Sequence, residues 1–161
     1  MKQDRFLQSI LIGIIAIAVL AVGLFFLRKG QVEYSSEKTP GAVIQNYTLA
    51  LLNKEYDRAY GYLSDEKYKP DANKFRQAFL SKQSDPASAS LRVGDVREDG
   101  EHAYVTVTLI HSSQGLFEDV YRDVQNAELV RQSGEWKIRS MPYPYWNFDW
   151  YQSSIDTKPV P

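Results

Sequence analysis

The chain has no cysteine, and this absence removes several kinds of chemistry at once. It excludes disulfides, thiolate metal sites, iron–sulfur clusters and cysteine nucleophiles. Histidine is scarce, with 2 in 161 residues, and the two are not at the spacing of metal ligands. Glycine-rich phosphate loops and the G-x-S-x-G nucleophile elbow are missing as well. We therefore expect no cofactor, no metal and no catalytic residue, and predict that the protein is not an enzyme.

Neither sign of charge dominates the composition. Lysine plus arginine number 19, against 20 for aspartate plus glutamate, and no basic block or stripe stands out. A protein that binds nucleic acid usually concentrates positive charge on one surface. The sequence therefore predicts no nucleic-acid partner.

One long hydrophobic run, from Phe6 to Leu27, carries no charge over 22 residues. As a helix this run would be about 33 Å long, against a hydrocarbon core of about 30 Å. We therefore predict a transmembrane helix. Small residues near one face are candidates for packing against another helix, although glycine and alanine are also simply common in membrane helices: Ser9, Gly13, Ala16 and Gly23.

The flanks of this run leave its orientation open. Two basic residues precede it and two follow it, so the positive-inside rule gives a tie. A short N-terminal tail ordinarily stays in the cytoplasm, and we therefore predict a single-pass protein of the cell membrane with its C-terminal domain outside. A cleaved signal peptide is the alternative, because Ala16-Ile17-Ala18 has the form of a cleavage site. The apolar run continues beyond these residues, which favours the membrane anchor.

Three helices are predicted after a polar linker. Thr39 is suited to cap a helix and Pro40 to occupy its first position, and the apolar spacing that follows predicts a helix over 40–52. The same spacing predicts a shorter helix over 55–63. Asp71 caps a third helix that ends near residue 81.

From residue 91 the hydrophobic period changes from that of a helix to that of a strand. A hairpin turn is predicted at Asp99-Gly100, and the run over 102–111, dense in Val and Thr, is predicted as a central strand. The run over 116–132 changes its apolar parity, which predicts a bulge near Gln125-Asn126. The predicted fold class is α+β: three helices packed on a bent antiparallel sheet of about four strands.

Three stretches of this domain resemble the nuclear transport factor 2-like superfamily, especially its membrane-anchored bacterial envelope members of the lumazine-binding-like type. The resemblance covers roughly residues 39–139 and implies a cone-shaped domain with an open end. It implies little about function, because the cone serves as an enzyme, a scaffold or a dimerisation module in different members. The stretches are Thr39-Pro40-Gly41 leading into Asn46-Tyr47, Tyr56-x-x-Ala59-Tyr60-x-x-Leu63, and Glu128-Leu129-Val130-x-x-x-Gly134-Glu135-Trp136-Lys137-Ile138.

Enzymes of that superfamily carry a carboxylate, histidine or tyrosine inside the cone. The corresponding cavity candidates here are Tyr104, His111, Asp119 and Asp123. By strand alternation, His111 shares a face with Val105, Val107 and Leu109, which is typical of a pocket lining. A histidine at the end of a strand more often lies at a solvated rim, and that interpretation is favoured.

An aromatic run follows the predicted sheet, with six aromatic residues in nine positions. Its two prolines argue against a continuing central strand. The run has three possible fates: packing on its own domain, docking another subunit, or inserting at the membrane interface. The candidates for binding a partner are Tyr143, Tyr145, Trp146, Phe148, Trp150 and Tyr151.

The favoured function is a non-catalytic single-pass accessory or scaffold subunit of a larger membrane protein complex. Its partners would be the lipid bilayer and other membrane-protein subunits. The alternative is an envelope ligand-binding protein or small-molecule enzyme that uses the cone cavity. The predicted organisation is an N-terminal tail over 1–5, a transmembrane helix over 6–27, a linker over 28–38, the nuclear transport factor 2-like domain over 39–141, the aromatic segment over 142–151 and a tail over 152–161.

Overall fold

A computed structural model describes residues 10–20, 33–112 and 120–152. The chain divides into two compact units, Met1–Glu33 and Tyr34–Pro161. In the first unit, residues 10–20 form a helix, α1. Several positions with predicted roles lie outside the described residues: Ser9, Gly23, Asp119, the tail over 1–5, the linker positions 28–32 and the last residues 153–161.

The prediction of a membrane-spanning helix is wrong. Within 10–20, 33–112 and 120–152, no helix is both long enough and apolar enough to cross a bilayer. The eleven described residues of α1 rise about 16 Å, roughly half of a hydrocarbon core. Positions 6–9 and 21–27 of the predicted span lie outside the described residues. The single-pass topology and the cell-membrane localisation depend on this helix and are corrected with it.

The described residues of the second unit form three α-helices, α2 (Pro40–Leu52), α3 (Tyr56–Gly61) and α4 (Ala72–Leu80), and a short 3-10 helix, Pro86–Ser88. Their starting points follow from local chemistry. The Thr39 hydroxyl accepts a hydrogen bond from the Ala42 N–H at the start of α2. The Asp71 carboxylate accepts one from the Lys74 N–H at 2.8 Å at the start of α4. Each cap satisfies a backbone donor that has no partner inside its helix.

Four antiparallel strands form one sheet in the order of the chain: β1 (Ser90–Asp99), β2 (His102–Ser112), β3 (Val120–Gln132) and β4 (Glu135–Ser140). Helix α2 packs on this sheet, and α3 lies between α2 and α4. The described architecture is therefore four helices and a four-stranded antiparallel sheet. The predicted fold class is wrong in that it placed a transmembrane helix before them.

The predicted bulge near Gln125-Asn126 is also wrong. Strands β2 and β3 pair without interruption along their full length. Shifts of register occur instead between Val93 and Val96 of β1, and between Glu128 and Leu129 where β3 meets β4. The parity change in β3 comes from a change of apolar residues between faces. Val120 and Val124 are exposed on the outer face of the sheet, whereas Ala127 and Leu129 are buried on its inner face.

The core lies between the helices and the inner face of the sheet. Phe75 of α4 is fully buried at its centre, with ring centroids of Trp150 at 5.0 Å, Phe79 at 5.1 Å and Tyr60 at 5.5 Å. Aliphatic side chains of the sheet complete the core from the other side: Val105, Val107, Leu109, Leu129 and Ile138. The aromatic cluster around Phe75 therefore joins α3, α4 and the C-terminal segment.

The two outer strands of the sheet have different surroundings. At β4, the residues after α3 form a short parallel bridge in which the Ser64 N–H donates to the Ile138 carbonyl and the Ile138 N–H donates to the Tyr62 carbonyl, both at 2.8 Å. This contact satisfies the backbone groups of Ile138 on the outer edge of β4. At β1, the other end of the strand order, no strand of the described ranges pairs with the outer edge.

Removing the cap of α4 is expected to lower stability by about 1 kcal/mol, because Asp71→Ala leaves the Lys74 N–H without its acceptor. Urea unfolding monitored by circular dichroism measures this difference. Asp71→Asn is the matched control, since asparagine caps a helix as well as aspartate does. An equal loss in both variants would contradict the capping role.

Candidate functional site

The aromatic segment over 142–151 leaves β4 and returns across the helices. Four of its six aromatic side chains are held by the domain itself: Tyr145, Trp146 and Trp150 are buried in the core, and Tyr151 packs against it. The Trp150 ring lies 4.9 Å from that of Trp146 and 5.0 Å from that of Phe75. Of the three possible fates of the aromatic segment, these four residues show the first, packing on their own domain.

Three buried or half-buried phenols attach this segment by hydrogen bonds to backbone carbonyls. The Tyr47 hydroxyl donates to the Tyr145 carbonyl at 2.7 Å, and the Tyr145 hydroxyl donates to the Ala89 carbonyl at 2.6 Å. The Tyr151 hydroxyl donates to the Ser64 carbonyl at 2.5 Å. Burial raises the pKa of Tyr145 and Tyr151 to about 12 and that of Tyr47 well above its usual value.

The two remaining aromatic residues, Tyr143 and Phe148, face outward. They are 44% and 68% exposed, and their rings stack with centroids 6.2 Å apart and planes 12° from parallel. We call them the aromatic pair. The backbone between them is held by the Ser84 hydroxyl, which donates to the Trp146 carbonyl at 3.0 Å. The aromatic pair is thus presented by a segment that is anchored to the core.

A cleft of about 1190 Å³ lies beside the same segment, against α4. We call it the α4 cleft. Its wall includes Tyr68, whose backbone adopts a left-handed φ of 68° that costs a residue other than glycine about 1–2 kcal/mol. Nine of the 13 lining residues are polar, and they combine amides with both signs of charge: Lys69, Asp71, Asn73, Lys74, Gln77, Gln83, Asn147, Asp149 and Gln152.

The cavity candidates do not come together in one site. Tyr104 lies on the outer face of the sheet, in a shallow hollow of about 410 Å³ with Asp95, Arg97 and Asn126. His111 lies on the opposite face at the end of β2, with its ring 6.0 Å from that of Tyr121.

Asp123 occupies the register position opposite Leu109 and accepts a hydrogen bond from the Gln125 amide. The α4 cleft contains none of the described cavity candidates. Among the residues that the structure describes, no three histidine or carboxylate side chains form a group able to hold a metal ion.

Comparison with known proteins does not assign the chain to a family. No family model matches the chain, and no curated protein matches it. A search of solved structures finds the solution structure of a SEC-C motif containing protein from Rhodopseudomonas palustris, with a TM-score of 0.47 and 17% sequence identity, covering 64% of this chain and 77% of that one. A similarity of this size defines neither a family nor a function for this chain.

The resemblance to the nuclear transport factor 2-like superfamily, including its bacterial envelope members, is therefore wrong as an identification. No family model supports it. The stretches that suggested it describe local features: a capped helix start, aromatic residues at helical spacing, and a glycine turn before a buried tryptophan. Such features occur at many helix starts and hairpins and do not specify a superfamily.

The α4 cleft was not predicted from the sequence. Its lining residues come from the loop before α4, from α4 itself, from the loop after it, and from the aromatic segment with the adjoining Gln152. The one local signal is the polar face of α4, where Asn73, Lys74 and Gln77 lie opposite the buried Phe75 and Phe79. A polar helix face ordinarily means solvent, so this signal does not distinguish a cleft from an open surface.

Proposed function

We propose that this domain is a non-catalytic interaction or scaffold module that binds another protein through the aromatic pair Tyr143 and Phe148. The observation that carries this proposal is the division of the aromatic segment: four rings anchor it to the core while two rings stack in the open. Tyrosine and other aromatic side chains are common among the residues that dominate binding at protein interfaces.

The anchoring supports the proposal on energetic grounds. Covering an exposed phenylalanine contributes about 1.5–3 kcal/mol to association. Ordering an interface segment on binding costs part of that gain. Because the backbone of this segment is already held at Tyr145 and Trp146, most of the gain from covering Phe148 remains available for affinity.

The test compares Y143S/F148S with L80S in affinity purification of the full chain. Leu80 is a matched control, since it is 55% exposed on α4 and outside the aromatic segment. We expect a stoichiometric partner to be retained by the wild type and by L80S, and to be bound at least about 30-fold more weakly by Y143S/F148S, the effect of losing about 2 kcal/mol.

A photo-crosslinking amino acid at position 148 is expected to capture the same partner, whereas one at position 80 is not. Two results would contradict the proposal: a wild-type protein that is monodisperse without any partner, or equal binding by the two variants.

A second candidate function is the binding of a polar ligand in the α4 cleft. It is favoured by the volume of the cleft, about 1190 Å³, and by the amide and charged side chains of its lining, which are able to form hydrogen bonds with a polar ligand. A thermal-shift screen of sugars and short peptides tests it with wild-type protein and Gln77→Leu in parallel. A compound that stabilises the wild type and not the variant supports this function, and a screen without any such compound rejects it.

A further inference from the structure

The outer edge of β1 is exposed and unpaired in the described part of the chain. Strand β1 is ten residues long, and all of it is exposed except Leu91 and Val93, which are half-buried. In the described part of the chain it pairs with β2 on one side and with no strand on the other. The backbone groups on such an edge form a template for a further strand.

The charges on this edge alternate in sign along one face. Arg97 and Asp99 lie opposite Tyr104 and His102 in the register of β2, and Asp95 lines the hollow around Tyr104 with them, so the three share the outer face of the sheet. The register shift between Val93 and Val96 is what moves Asp95 to this face, because uninterrupted alternation from Val93 would have put it on the core side. Within the described residues, neither Asp95 nor Arg97 forms an ion pair.

The charge pattern of one copy of β1 is complementary to that of a second, antiparallel copy. When two antiparallel copies of β1 are centred on Val96, Asp95 of each copy lies opposite Arg97 of the other, and opposite charges in such cross-strand positions attract. The two copies then make the same pair of contacts twice, as a two-fold axis requires. Regular pairing spans residues 95–97 of each copy, because the register shift between Val93 and Val96 ends the alternation there. Val96, which is 43% exposed, lies opposite the buried Val105 of β2, so its position is on the core side of the sheet, where it meets its own copy.

Neighbouring registers with the same faces are unfavourable. Moving the centre of symmetry to Asp95 places Asp95 opposite Asp95, and moving it to Arg97 places Arg97 opposite Arg97 and Asp95 opposite Asp99. Like charges directly opposite one another destabilise a strand pair. A register centred on Glu98 pairs Arg97 with Asp99 but places Glu98 opposite Glu98. Among these four registers the charge pattern therefore favours the one centred on Val96.

We propose that β1 pairs in antiparallel orientation with β1 of a second copy of this chain, centred on Val96, so that two four-stranded sheets become one. The inference is independent of the proposed function, since the aromatic pair is on a different segment. Y143S/F148S therefore leaves the self-association unchanged.

Charge reversal tests the pairing in the full chain. Analytical ultracentrifugation is expected to show a dimer for the wild type and monomers for Asp95→Arg and for Arg97→Asp, because each single variant places like charges opposite one another. An equimolar mixture of the two variants is expected to form a heterodimer, since the arginines of one then face the aspartates of the other. Native mass spectrometry identifies the mixed species, and circular dichroism checks that each variant is folded.

The absence of native cysteine provides a second measurement. Opposed Cβ atoms of an antiparallel pair are about 4.5–5.5 Å apart, so Val96→Cys is expected to form a disulfide-linked dimer on mild oxidation, at least about 10-fold faster than Val124→Cys, an exposed residue of β3. A monomeric wild type, single variants that remain dimers, a mixture without heterodimers, or equal cross-linking at positions 96 and 124 would each overturn the proposal.

Discussion

Replacing Phe75 by alanine is expected to lower the free energy of unfolding by about 3–5 kcal/mol, a large part of the 5–15 kcal/mol typical of a whole domain. Phe75 is fully buried, and the rings of Trp150, Phe79 and Tyr60 surround it within 5.5 Å. Those rings belong to three separate segments, so the surroundings cannot close over the missing side chain without moving all three.

Urea unfolding followed by tryptophan fluorescence measures this loss. The same signal reports on the aromatic segment, because Trp150 of that segment contacts the Phe75 ring. Leu80→Ala is the matched control on the same helix, since Leu80 is mostly exposed and its truncation is expected to cost less than about 0.5 kcal/mol. A loss below about 1 kcal/mol for Phe75→Ala would show that Phe75 does not hold the segments together.

The second large effect is expected at high pH, where the domain should unfold as the pH rises above 10. Tyr47, Tyr145 and Tyr151 each donate a phenolic hydrogen to a backbone carbonyl. Ionisation removes that donor and places a negative oxygen against the carbonyl oxygen. Burial raises the pKa of Tyr145 and Tyr151 to about 12 and that of Tyr47 well above its usual value, so the folded domain resists this ionisation.

The sign of the pH dependence follows from these pKa values. Unfolded tyrosine ionises near pH 10, so the three phenols contribute their full stabilisation below that pH. Between pH 10 and about 12 the unfolded chain has lost protons that the folded chain still holds. Stability therefore falls with rising pH, by about 1.4 kcal/mol per pH unit for each fully buried tyrosine.

Urea unfolding at a series of pH values tests this dependence. Tyr145→Phe removes one titrating group, and we expect its stability to fall less steeply with pH than that of the wild type, although it starts lower because the bond to Ala89 is lost. Tyr68→Phe is the control, since Tyr68 is exposed and its replacement should leave the slope unchanged. Identical slopes in all three proteins would reject the assignment.

The elements that the sequence predicted best are those determined by local chemistry. Thr39 and Asp71 do cap α2 and α4, because a cap depends on contacts within three residues. The turn before β2 also follows from local sequence, since Gly100 adopts the positive φ of 60° that a tight hairpin needs. The register shifts were not predictable in this way. They are determined by the neighbouring strand, and the sequence of β3 alone pointed to the wrong position.

The direction of each ring in the aromatic segment also depends on contacts with distant parts of the chain. The density of aromatic residues over 143–151 identified the segment but not the direction of each ring. With prolines at 142 and 144 the segment has neither helical nor strand periodicity, so no pattern separates the buried Tyr145 and Trp146 from the exposed Tyr143 and Phe148. Their division depends on carbonyl groups and rings supplied by distant parts of the chain, such as Ala89 and Phe75.

The bridge between Leu63 and Ile138 has a consequence for how far the sheet can grow. A sheet with two open edges adds strands without limit and tends toward fibres. Here the edge of β4 is already hydrogen-bonded to the residues that follow α3, so β1 is the one end of the strand order with no pairing strand in the described ranges. Pairing through β1 uses that edge in both copies, and strand addition then stops at eight strands. The bridge at Ile138 therefore opposes further strand addition at β4 and favours a dimer over a fibre.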